Sequence, residues 1–157
     1  MKFQAARVTH EYAQSNCAPP GTVFPLLCPV REAEWVPGWQ YRLIYSQSGF
    51  AEEGCVFITE EDGREITWIV TEYDPAALRI AFVWVSPGVL ATKIQISLEP
   101  SASNTKAHIR YTYTALSPEG NPEVERYDET WFRRKMQSWE AAINHYLRTG
   151  KRIDAAT

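Results

Sequence analysis

From Asn121 to Gly150 the apolar residues of this chain fall at helical spacing, and that stretch limits what the remainder can be. Phe132, Met136, Trp139, Ile143 and Leu147 follow one another at steps of four and three, so a helix carries them on one face, widened by Trp131 and Tyr146. Asn121 can accept from the orphan N–H groups of a first turn, and Pro122 suits the first helical position. Glu123 and Glu125 place negative charge at the positive end of the helix dipole, and Arg148 with Gly150 forms a stop signal. Arg133, Arg134, Lys135, Gln137, Ser138 and Glu140 supply most of the polar side, and the basic triplet reads as solvated or paired with acidic neighbours. The spacing predicts a single helix of roughly 40 Å, at about 1.5 Å per residue. A helix that long with one apolar stripe needs a large apolar surface to cover.

Strands supply that surface. Phe3 to Gln14 alternates, with Ala6, Val8, His10 and Tyr12 on one face and Arg7, Thr9 and Glu11 on the other. Pro19, Pro20 and Gly21 end it. Pro25 and Pro29 forbid one continuous helix through Thr22 to Glu34, so two short helices with a break are expected there. Trp35-Val36-Pro37-Gly38-Trp39 then makes a turn between two tryptophans. Strand patterns follow at Tyr41–Tyr45, Cys55–Thr59, Glu65–Tyr73, Leu78–Ser86, Val89–Leu98 and Lys106–Leu116, separated by Gly-, Pro- and Asp-containing turns. Short links between successive strands make an antiparallel meander. The expected class is therefore α+β: a seven-stranded curved antiparallel sheet closed over by the C-terminal helix, in one domain spanning 1–157.

This order of elements resembles the SRPBCC superfamily, also called START-like or Bet v 1-like, which has the helix-grip fold. The residues that carry the resemblance are the strand followed by Pro20-Gly21-Thr22-Val23-Phe24-Pro25-Leu26-Leu27-Cys28-Pro29-Val30-Arg31-Glu32, then Glu34 to Trp39, Thr67-Trp68-Ile69-Val70-Thr71-Glu72-Tyr73-Asp74-Pro75, and the Trp-rich C-terminal helix. It covers nearly the whole chain, and the chain is most similar to bacterial members with no assigned activity. The resemblance implies a cavity between sheet and helix that holds an apolar ligand. The superfamily mixes lipid carriers, polyketide cyclases, hydrolases and co-chaperone modules, so the fold leaves function open.

Six Trp, eight Tyr and six Phe are many for 157 residues. Strand parity puts Tyr12, Trp68, Trp84, Tyr111 and Tyr113 on the concave face, with Trp131 and Trp139 opposite on the helix and Trp39 near one mouth. Such rings either line a pocket for a flat apolar ligand or simply fill the core. His10 belongs to the same face and is a candidate acid or base; hydrogen-bonded, it is only structural. Glu72 follows Trp68 and Val70 in alternation and is a candidate rim carboxylate, against the plainer reading of a solvated strand end.

Other classes find little support. Net charge is −3 without a basic run, which speaks against nucleic acid. The three His are scattered without acidic partners at ligand spacing, so no metal is expected. Neither a P-loop, GxGxxG nor GxSxG occurs, so no cofactor and no nucleophile motif is expected. Cys17, Cys28 and Cys55 are odd in number and lack a CxxC pair, which indicates buried free thiols in a reducing compartment. No signal-type or membrane-length apolar run is present, and a cytoplasmic location is expected. The expected partner is a small hydrophobic or aromatic molecule, with a homodimer left open. The leading reading is a binding or carrier module; the alternatives are a polyketide cyclase or aromatase-like enzyme and a co-chaperone-like interaction module.

Overall fold

A computed structural model describes residues 2–153. The elements run β1 (Arg7–Asn16), α1 (Pro20–Val23), a 3-10 turn (Phe24–Leu27), α2 (Pro29–Glu32), β2 (Arg42–Tyr45), β3 (Val56–Glu61), β4 (Arg64–Asp74), β5 (Arg79–Ser86), β6 (Leu90–Ser101), β7 (Asn104–Ala115), α3 (Gly120–Arg126) and α4 (Glu129–Thr149). The seven strands form one antiparallel sheet in the order β1-β7-β6-β5-β4-β3-β2. The α+β class, the curved seven-stranded sheet and the Pro-broken segment after β1 are therefore as expected. Each of α1, the 3-10 turn and α2 begins with Pro at a first-turn position, where its missing N–H leaves no bond unmade.

The expected single helix from Asn121 is two helices. Asp128 has extended backbone angles (φ −77°, ψ 176°), and its carboxylate accepts the Trp131 N–H at 2.8 Å, so it is the N-cap of α4. Asn121 does different work: its side-chain oxygen accepts the Ala6 N–H at 2.8 Å and its amide donates to the Gln4 carbonyl at 3.2 Å, tying α3 to the chain leading into β1. Gly150 closes α4 with left-handed angles (φ 70°), as its position suggested. Gly120 opens α3 where a Cβ would lie 2.0 Å from the Val89 carbonyl oxygen, so any larger residue would push α3 off the β5–β6 turn.

Register fixes which side chains face the helix. Val8, His10, Tyr12 and Gln14 of β1 stand opposite Tyr113, Tyr111, Ile109 and Ala107 of β7, and all eight point to the concave side. The core beneath comprises Ile80 and Phe82 of β5, Leu90, Ile94 and Ile96 of β6, and Phe132, Met136 and Ile143 of α4. Register shifts occur in β2, between Leu43 and Tyr45, and in β4, where Val70 pairs with Phe82 but the next pair is Glu72 with Ala81. Residues after Thr71 therefore change face. Tyr73 turns inward onto Phe24, with ring centroids 5.6 Å apart, and Glu72 turns out to solvent.

Candidate functional site

Trp68 is the centre of a wall of rings on the inner face of β3, β4 and β5. It stacks on Phe57 (centroids 5.2 Å, planes 16° apart) and meets Trp39, Phe82 and Trp84 at 6.0–6.1 Å. Its indole N–H donates to the Thr59 hydroxyl at 2.9 Å, and that of Trp39 to the Pro29 carbonyl at 2.8 Å, so both rings are held by their polar edges. Phe57 and Trp84 are buried, whereas Trp68 and Trp39 keep open surface. Trp68 points from β4 to the same side as the buried Ile66 and Val70, so its open surface is on the face of the sheet that α4 covers.

A second group of rings faces it from β7 and the helices. Tyr113 packs on Tyr127 (4.9 Å) and Trp131 (6.2 Å), and Tyr127 stacks on Trp131 (4.3 Å). Tyr111 meets Phe132 at 5.3 Å and remains half-buried. The Lys135 Nζ stands 5.5 Å from the Tyr111 ring centre and 5.1 Å from that of Trp131. Lys135 is exposed, as the basic triplet suggested, and its ammonium lies over the faces of Tyr111 and Trp131. Desolvation lowers its pKa, opposed by Glu61. Burial likewise pushes the Glu32 carboxyl well above the usual carboxylate range, and Tyr111 is raised by burial first and by Glu32 and Glu61 next. Glu32, Glu61, Tyr111 and Lys135 thus share one electrostatic neighbourhood.

Several expected site residues are occupied in fastening the helix. His10 donates from Nε2 to the Tyr127 carbonyl at 2.6 Å and stacks on Phe132, so it ties β1 to the α3–α4 junction, and with Tyr12 and Phe132 it lines a concavity between β1 and α4. Tyr12 donates to a Glu140 carboxylate oxygen at 2.8 Å, and the other oxygen accepts the Ser15 N–H at 2.7 Å. Burial, then the Glu140 hydrogen bond, pushes the Tyr12 hydroxyl up to about 12. Trp139 packs on the fully buried Trp35 at 5.0 Å, and Trp35 donates to the Leu26 carbonyl. Glu72 is displaced altogether: the bulge puts it on the outer face, 3.4 Å from the Arg79 guanidinium. The structure brings Trp39, Trp68, Trp84, Tyr111, Tyr113 and Trp131 to the inner side; His10 and Tyr12 share that side with hydrogen bonds to Tyr127 and Glu140, and Trp139 packs on Trp35.

Three concavities lie away from the ring-lined space or at its end. One of about 500 Å³ is on the outer face of the sheet, among Glu11, Arg79, Gln95, His108 and Arg110. Its charges pair with one another or with rim residues (Arg110 with Glu11, His108 with Glu99, Arg79 with Glu72), which makes it a self-neutralised surface. A second, about 450 Å³, is a notch beside His10 and Arg133 at the outer edge of β1. A third, about 40 Å³, lies beside Trp84 and Tyr127 under the Arg64–Glu123 ion pair, which closes that end of the molecule. Among the described residues, no cluster of three metal-ligating side chains occurs and no helix is long and apolar enough to cross a membrane. Cys17, Cys28 and Cys55 are free thiols; the latter two are buried as expected, and Cys17 is exposed.

Solved structures with the same arrangement of sheet and helices are numerous. Ara h 8.0201 is 16% identical and superposes with a TM-score of 0.64 over 92% of this chain and 99% of its own. Norcoclaurine synthase from Thalictrum flavum is 12% identical, with a TM-score of 0.68 over 92% of this chain and 88% of that one. The chain has the helix-grip fold. DynU16, a protein of the dynemicin biosynthetic locus, is 20% identical with a TM-score of 0.59; the match covers 96% of this chain and 49% of DynU16. No protein-family model and no curated protein matches the sequence. Identities this low establish the helix-grip fold and leave the ligand and chemistry to the residues.

Proposed function

We propose that this helix-grip protein binds a small, mainly apolar, ring-bearing molecule between the sheet and α4. The observation that carries the reading is the open surface kept by Trp68, Tyr111 and Trp39, which point inward from the sheet and its mouth yet are not sealed by the helix. Large inward rings that remain accessible offer a flat apolar face, and burial of a ligand there is favourable by about 25 cal/mol per Å². The similarity to norcoclaurine synthase and DynU16 is compatible with a small-molecule role, and the rings supply the specific support.

A reading as an enzyme draws on one further observation. Glu32 and Lys135 have pKa values shifted in opposite directions, each toward neutrality, and Tyr111 is within electrostatic reach of Glu32. A buried carboxyl with a raised pKa is a candidate proton donor to a bound carbonyl compound.

The test is a fluorescence titration of the full chain with N-phenyl-1-naphthylamine, a neutral two-ring probe, beside a Trp68→Gln variant. The proposal predicts saturable binding to the wild-type chain and an affinity about tenfold lower in the variant, equivalent to roughly 1.4 kcal/mol. Absence of saturable binding, or equal affinity for both proteins, would count against it.

A further inference from the structure

We infer that the ligand of this groove is an organic acid, whose anionic group pairs with Lys135 while its ring system lies against Trp68. The inference rests on the binding reading above and adds the charge of the ligand to it.

Lys135 is four residues from both Trp131 and Trp139, so the three share one face of α4, with Trp139 half-buried and Trp131 exposed. The ammonium stands 5.5 Å from the Tyr111 ring centre and 5.1 Å from that of Trp131, contacts that contribute about 0.5–2 kcal/mol. A carboxylate within 4.0 Å would supply a counter-charge, and none approaches Lys135 among the described residues. The other basic groups nearby are satisfied: Arg133 pairs with Glu129 at 3.3 Å, and Arg64 and Arg126 with Glu123 at 2.5 and 3.9 Å. The groove therefore holds, over its rings, one cation without an ionic partner among the described residues. An acid bound beside the rings would supply its counter-charge in a setting of reduced dielectric, where the pair is worth more than at the surface.

Glu32 does not oppose this arrangement. Burial favours its neutral form, which lessens its repulsion of an incoming anion. Glu61, at the end of β3, is within electrostatic reach of Lys135 and forms no ion pair with it.

The test compares two probes that share a ring system and differ in charge: 8-anilinonaphthalene-1-sulfonate and neutral N-phenyl-1-naphthylamine. Lys135→Met is expected to weaken the sulfonate probe at least tenfold and to leave the neutral probe within twofold, and Lys135→Arg is expected to keep most of the sulfonate affinity. Equal loss of both probes in Lys135→Met, or no loss of either, overturns the inference while the groove reading stands. Failure of the neutral probe to bind the wild-type chain defeats the groove reading itself, so the two failures are distinguishable.

Discussion

The two flanks of α4 are held in different ways. On the side of β1 the helix is fastened by directed polar contacts: Glu140 receives Tyr12 and the Ser15 N–H, the Asn144 side chain accepts the Cys17 N–H at 3.0 Å and donates to the Ser15 carbonyl at 2.9 Å, and His10 holds the junction with α3. Its C-terminal half is also fastened to the segment after α2, through Trp35 on Trp139 and Tyr146 on Glu34. On the side of β3, β4 and β5 the rings pack on one another and on Trp39 rather than on α4, and Lys135 of the helix has no ionic partner among the described residues. Directed bonds fix the position of a helix, and rings that pack among themselves place no such constraint on its other flank. In the proposed reading, a guest would lie on that flank without changing the helix's seat.

This contrast can be broken from the seam first. Trp35→Ala removes a fully buried indole and its bond to Leu26, and should cost about 3–5 kcal/mol in a denaturant titration. Glu140→Ala removes both acceptors for β1, at about 1 kcal/mol per hydrogen bond, hence roughly 2 kcal/mol. If seam and groove are separate, this variant should still bind the neutral naphthylamine probe within twofold at a temperature where it is folded. Asp128→Ala should cost about 1 kcal/mol by removing the N-cap of α4, with the loss confined in hydrogen exchange to the first turn.

Glu32→Gln sharpens the groove side by its pH dependence. The folded chain holds this carboxyl protonated above the range in which the unfolded chain ionises it. Stability is therefore unaffected below the ordinary carboxylate pKa and falls as pH rises through it, until the raised folded pKa is passed. The glutamine variant should match the wild-type melting temperature near pH 4 and exceed it near pH 8 by a few degrees. A difference that is constant across that range would mean that Glu32 is ionised in the folded chain.

Much of this fold is legible in the amino-acid order, because the patterns that encode it are repetitive. Period-two alternation marks six of the strands and a Pro-spaced segment marks the short helices; the apolar row from Phe132 to Ile143 marks α4. The break at Asp128 was legible as well: an Asp four residues before Phe132 is a ready N-cap, and an unbroken apolar spacing on either side concealed it. The candidate site was less legible because single events decide it. One inserted residue in β4 reverses the face of Glu72, and no composition signal announces a bulge. His10 and Tyr12 lie on the expected face, but their partners, Tyr127 and Glu140, are distant in sequence. The exposure of Lys135 was legible from the basic triplet, and its place over the Tyr111 ring was not, because β7 is distant in sequence. Glu32 carried no signal, since its burial depends on where α2 docks.

The most direct test of the account is a crystal structure of the full chain with N-phenyl-1-naphthylamine bound. The account predicts probe density against Trp68 on the inner face of the sheet, below α4, with the bonds from Glu140 to β1 intact. Density confined to the outer concavity among Gln95, His108 and Arg110, or a helix lifted from β1 to admit the probe, would contradict it.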